Sequence, residues 1–231
     1  PLLRRRNLHA TFFITSGQFD GVPLWHERIA AAVRCLPGPF LDLGVAFLPA
    51  QSVATLAARC LLVQRLEQEL KYLTPTRREE LLQQLEAAAG VTPEQVPVMT
   101  EAQLRDLHSQ GFGVGGHTAL HPILDYCNAS EVAAEIGGAR ERLQAIVGGP
   151  IHGFAYPNGR PYADFSRLHV DAVKQAGYRY AVTTHWGVAR ATTSPFQIPR
   201  FTPWAERRWH MTYQLARNLL VAPVQVAETA V

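Results

Sequence analysis

The stretch GGHTALHP, residues 115–122, places His117 and His121 four apart, between a glycine pair and Pro122. Neutral imidazole is the commonest protein ligand for zinc and similar ions, so such a pair can hold a divalent metal. A bound metal acidifies a water molecule and polarises a carbonyl, which is the chemistry of hydrolysis. Spacing alone is weak support: with nine histidines in 231 residues, pairs four apart arise readily by chance. Two unrelated surface histidines are the alternative. Context brings the metal reading level with that alternative, because the pair follows a predicted strand end, the glycines permit close backbone approach and Pro122 fixes the exit.

The elements that must position this pair alternate. HATFFITSG (9–17) is an apolar, β-branched and aromatic run closed by glycine, and reads as a buried strand. LWHERIAAAVR (24–34) has helical spacing. A helical pattern runs from Ser52 to Leu73, and TPTRREELLQQLEAAAG (74–90) reads as a second helix stopped by glycine. Thr100, with Gln103 three residues on, forms an expected capping box for EAQLRDLHSQG. The short strand FGVGG then runs into the histidines. SEVAAEIGGARERLQAIVGG (130–149) is expected to be a helix capped by Ser130 and weakened by Gly137 and Gly138. IHGFAYP reads as a strand, HVDAVKQAGY as a helix, RYAVTTHWG as a strand and FQIPRF (196–201) as a last short strand. Strands alternating with helices predict an α/β fold on parallel strands, a barrel or partial barrel. Ligands collect at the carboxyl ends of such strands, where GGHTALHP, AYPNGRPY and TTHWG all fall.

Composition bounds the partners. The chain is 47% apolar with a net charge of +3 and a pI near 9.0. All but two of its 22 basic residues are arginines, Lys71 and Lys174 being the exceptions. They are scattered, with Arg4–Arg6 the densest cluster, so a solvated surface is expected rather than a nucleic-acid site. Cys35, Cys60 and Cys127 lie far apart without CxxC spacing, which argues against a disulfide framework and fits a reducing compartment. No apolar run reaches the length of a membrane span. The arginines of PLLRRRNLHATFF precede too short an apolar stretch, without a cleavage site, to make a signal peptide. A cytoplasmic location is therefore expected. Composition does not address the oligomeric state.

GGHTALHPIL resembles the H-[ST]-x-x-H metal motif of the polysaccharide deacetylases, the family four carbohydrate esterases. HATFFITSGQFDG with LWHER is similar to the family's strand, loop and Trp-bearing helix. GFAYPNGRPY is similar to its FAYP-G motif, and GYRYAVTTHWG and SPFQIPR to its late ATT-x-x-G and PF-x-[LI]-PR segments. The likeness runs from Leu2 to about Arg217, with five short motifs in order. It implies one incomplete α/β domain over 1–231, a partial or distorted (β/α) barrel with its first strand missing. Residues 52–90 would be a helical insertion within that domain. It also implies metal-dependent removal of acetyl groups from N- or O-acetylated sugars of a glycan. The metal would be zinc first, with cobalt, manganese or nickel as alternatives.

The same likeness implies roles for single residues. His117 and His121 would be metal ligands, and Thr118 would brace their turn. The Tyr156 backbone N–H would donate to the oxyanion, and Arg200 would orient a catalytic carboxylate. His185, or else His210, would protonate the leaving amine. Trp25, Trp186 and Trp204 are candidate surfaces for stacking on sugar rings, with half-buried packing the plainer reading of each.

One departure stands against this. The family's T-F-D-D-G motif, which supplies the catalytic base and an aspartate ligand, is not in the sequence. QFDG at 18–21 matches the second-strand loop instead, so Asp20 is a poor replacement ligand. PLLRRRN reads as the last turns of an uncapped helix ending at Asn7. The chain is therefore expected to start inside the domain, to bind metal poorly and to be inactive or nearly so. A non-catalytic glycan-binding or partner module, and an amide hydrolase for a small non-sugar substrate, are the rival expectations.

Overall fold

The computed structural model describes residues 1–21, 23–92, 99–202, 205 and 207–227; Trp204 lies outside them. Along the chain run α1 (Leu2–Arg5), β1 (Thr11–Ile14), α2 (Trp25–Cys35), β2 (Phe40–Leu41), β3 (Gln51–Ser52), α3 (Leu56–Lys71) and α4 (Pro75–Ala89). Then follow α5 (Glu101–Ser109), β4 (Gly113–Gly116), α6 (Ala129–Ala133), α7 (Ala139–Val147), β5 (Gly153–Ala155), α8 (Arg167–Gln175), β6 (Tyr180–Val182) and α9 (Arg208–Leu220). They divide into two units, Pro1–Ser16 with Glu101–Val231, and Gly17–Thr100.

The first unit is built on a four-stranded sheet in the order β1-β4-β5-β6. All its pairings are parallel, with Phe13 opposite Gly115, Gly116 opposite Phe154 and Ala155 opposite Val182. Parallel strands need crossovers, and α5, α7 and α8 lie within those connections. Glycine is dense in β4, where neighbouring side chains leave no room for a Cβ. In β4 a Cβ on Gly115 would strike the Phe13 ring, and one on Gly116 the Tyr178 hydroxyl. The expected α/β class with parallel strands holds, but the sheet is open among the described residues and does not close into a barrel. The strand expected over 196–201 is reduced to a single parallel bridge between Val182 and Ile198. The next rung would run from Arg200 N–H to Thr183 O, an acceptor that the Arg200 side chain takes instead through Nε.

The helix expected from Ser130 starts earlier. Asn128 is its cap: its side chain accepts from Glu131 N–H at 3.0 Å, while the Glu131 carboxylate accepts from Asn128 N–H at 2.7 Å. Ser130 lies inside the first turn, its hydroxyl donating to Asn128 Oδ1. Midway, Ala134–Gly138 widen into a π-helical turn at the glycine pair that the sequence marks as weak. Asn7 does adopt the left-handed conformation, with φ 53°.

The second unit is mostly helical. Glu86 is buried and the Arg28 side chain nearly so, and the guanidinium donates to Glu86 at 2.7 Å and to Glu79 at 2.7 Å. Ile29, Leu62, Leu66, Leu70, Leu81, Leu82 and Leu85 pack as its core. The element ends follow the sequence signals closely. Thr55 caps α3 and Thr74 caps α4, Pro75 begins α4 and Gly90 ends it at φ 65°. The two helices expected over 52–90 thus lie wholly inside this unit, which begins at Gly17.

Candidate functional site

His117 follows β4 directly. Its N–H donates to Ile14 O at 3.0 Å, extending the ladder by one residue and fixing where the side chain leaves the sheet. Nδ1 donates to Ala155 O at 2.7 Å, which sets the tautomer and leaves the lone pair on Nε2. Burial, opposed by the Ala155 hydrogen bond, and the nearby Arg200 charge hold this imidazole below its usual pKa, so it is neutral. The His121 ring stands edge-on to it, with centroids 4.7 Å apart. The sequence-predicted pair is therefore brought together, with one imidazole already oriented as a ligand would be.

The turn between them is strained and braced. Thr118 and His121 have φ of 65° and 57°, a conformation costing L-residues on the order of 1 kcal/mol each. The buried Thr118 hydroxyl donates to His117 O at 2.5 Å and accepts from His121 N–H at 3.0 Å. Its carbonyl accepts from Ser16 N–H. Glu135, buried in the π-helical turn, accepts from both Ala119 N–H (2.8 Å) and Leu120 N–H (2.9 Å). The sequence reading missed Glu135. Its signal was an acid on the apolar face of a helix, among Val132, Ile136, Ala139 and Leu143.

Around the pair, Arg200 donates from Nε to Thr183 O at 2.9 Å and lies over the Phe13 ring at 5.7 Å. Burial lowers its pKa, and among the described residues no carboxylate pairs with it. Tyr156 is buried, stacked on Phe165 at 3.9 Å. Its N–H, expected to face the substrate, is taken by Val182 O at 3.3 Å as part of the parallel ladder. Past Pro157, which has no N–H, the chain turns at Asn158 and Gly159, with φ of 55° and 68°. Among the described residues the Asn158 N–H makes no hydrogen bond. Gly159 is required here, because a Cβ would come within 2.9 Å of Thr184 N.

The other expected residues lie apart from this cluster. His185 is half-buried beyond β6, with Nδ1 donating to Trp186 O at 2.6 Å. Trp186 packs edge-on against Phe201 at 4.9 Å. His210 is exposed on α9, next to Gln214. Trp25 belongs to the second unit, where its ring packs against the core beneath the Arg78 guanidinium at 5.1 Å. As a metal centre the donor set is partial. Two imidazoles are in place, and no group of three or more His, Cys, Asp and Glu suited to a metal forms among the described residues.

Residues 73–181 match the family model described as polysaccharide deacetylase, a span holding both GGHTALHP and FAYP. A solved polysaccharide deacetylase from Bacillus cereus is 24% identical over 45% of this chain and 32% of its own, with a TM-score of 0.39. The deacetylase domain of BpsB from Bordetella bronchiseptica is 16% identical over 87% of this chain and 63% of its own (TM-score 0.48). A de-N-acetylase from Aggregatibacter actinomycetemcomitans is 14% identical over 95% of this chain and 68% of its own, with a TM-score of 0.51. That last likeness carries the fold. The chain spans about a third of the length of the Bacillus protein. A comparison with curated proteins finds no match.

Proposed function

We propose, from the match of residues 73–181 to the polysaccharide deacetylase family model, that the protein removes acetyl groups from N- or O-acetylated sugars. The observation that carries this is the His117–His121 pair, oriented by Ala155 O and held by Thr118 and Glu135. The two imidazoles would hold a divalent metal, zinc first, with cobalt, manganese or nickel also suited to them. When bound, the ion acidifies water and polarises the acetyl carbonyl. A third donor and a base have to come from beyond the pair, since no carboxylate joins it among the described residues.

The protein's own groups supply the rest. Arg200, half-buried beside Phe13 and bonded among the described residues through Nε alone, keeps the rest of its guanidinium fork for a carboxylate. The oxyanion donor in the FAYP loop shifts from Tyr156, whose N–H is spent on Val182, to the N–H of Asn158. Tyr156 then serves by its packing, fixing the strand end. His185, its Nδ1 tied to Trp186 O, would present Nε2 to the leaving amine, and Trp186 would border the sugar.

Acetate release from an acetylated oligosaccharide, measured on the native protein expressed from its own gene, tests this. Chelation should abolish release, and His117→Ala and His121→Ala should each lower it by about a hundredfold or more. Full activity in either variant, or after chelation, contradicts the assignment. A second reading is a glycan-binding module without catalysis, because among the described residues the donor set stops at two imidazoles. Tight glycan binding with no acetate release under any metal would establish that instead.

A further inference from the structure

Helix α9 presents its apolar side outward. Trp209 is 66% exposed, Tyr213 59%, Leu219 62% and Leu220 87%, although a surface helix ordinarily turns such residues inward. At 3.6 residues per turn, Leu219, Ala216, Trp209, Leu220 and Tyr213 share one face, interrupted only by Thr212. Arg208 and Arg217 stand at its two margins. The opposite side carries His210, Gln214 and Asn218 beside the less exposed Met211 and Leu215, and it holds the helix to the body: Asn218, its one buried residue, accepts from Gly187 N–H at 2.8 Å and donates to Gly187 O at 3.2 Å. Beyond the helix, Val226 is tied to Gln197 through both N–H and C=O. The exposed face is thus fixed in place by its own polar anchors.

We propose that α9 is an interfacial membrane-binding helix that lies on an anionic phospholipid surface. Trp and Tyr suit the headgroup boundary, Leu219 and Leu220 the acyl region, and arginines at the margins reach lipid phosphates from either side. Between Arg207 and Ala227 there is no acidic residue, so nothing in this segment opposes a negative surface. Two copies packed through this face would instead bring four marginal arginines together with no carboxylate of the segment to offset them. This contact differs from spanning: no helix among the described residues is long and apolar enough to cross a membrane.

Vesicle co-sedimentation of the whole 231-residue chain tests the proposal. Binding to vesicles of phosphatidylcholine with phosphatidylglycerol, at roughly 7:3, should exceed binding to phosphatidylcholine alone by about tenfold. Trp209→Ser with Leu220→Ser should cut it by at least about tenfold with the thermal melt unchanged, because both side chains are exposed. Arg208→Gln with Arg217→Gln should keep residual binding and lose the preference for anionic lipid. Unchanged binding by the apolar pair variant overturns the proposal. So does a concentration-dependent dimer that the same variant dissolves, without vesicle binding by the unaltered chain.

Discussion

The two units spend their sequence differently. The Gly17–Thr100 unit is mostly helices whose ends, caps and apolar faces agree with local preference, with a charge cluster in which Arg28 joins the buried Glu86 to the half-exposed Glu79. The sheet unit holds the histidines on a backbone that local preference resists. Thr118, His121 and Asn158 have positive φ, and Ala134–Gly138 form a π-helical turn. Strain of this kind persists only where surrounding contacts over-determine it. Here those contacts are Thr118 Oγ1, Glu135 and the Ala155 carbonyl. Packing and helix signals stabilise one unit; directed polar bonds aim side chains in the other.

The largest break is expected at Arg28. Arg28→Ala leaves the buried Glu86 carboxylate without its cation and should cost about 4 kcal/mol in denaturant unfolding, with protection lost in α2 and α4. Next, Glu135→Ala strips the acceptor from the N–H groups of Ala119 and Leu120. It should cost about 3 kcal/mol and weaken metal binding at the histidines, a coupling that Arg28→Ala should lack. If Glu135→Ala melted the protein without touching the metal site, the division between packing and aiming would not stand. Smaller still, Asn128→Ala should cost about 1 kcal/mol and Ser130→Ala only a few tenths, as measured by urea titration. A reversed order would reinstate Ser130 as the cap.

The smallest effect concerns acid. The hydrogen bond from Arg28 holds the Glu79 pKa below its ordinary 4.5, against a desolvation cost. A lowered carboxylate contributes stability above its unfolded pKa and loses it as pH falls through the folded value. Because Glu79 is nearly half exposed, the contribution is expected to stay under about 1 kcal/mol. Melting temperatures followed downward from about pH 5 should fall less steeply in Glu79→Gln than in the unaltered chain.

Much of this was legible in the sequence where one residue decides one feature. Thr74-Pro75 and Gly90 bracket α4, the apolar runs mark β1 and β5, and GGHTALHP marks the site. The rest depended on partners far along the chain. Tyr156 N–H looks available until the parallel register sets it against Val182 O. Glu135 shows in the sequence only as an acid on an apolar helix face, and its partners are not readable until the fold places the 119–120 amides beside it. Asn128 is readable as the cap, since Asn-x-x-Glu is itself a capping pattern. No residue signal announced the outward face of α9, since its amphipathic pattern is the same whichever side meets solvent.

The central claim is that His117 and His121 act together as metal ligands. Its most direct test is a cobalt titration followed by visible absorption, comparing the unaltered chain with His117→Ala, His121→Ala and His210→Ala. Each of the first two should weaken binding by about tenfold or more and alter the spectrum, while His210→Ala leaves both unchanged. Identical titrations for all four proteins would contradict the account.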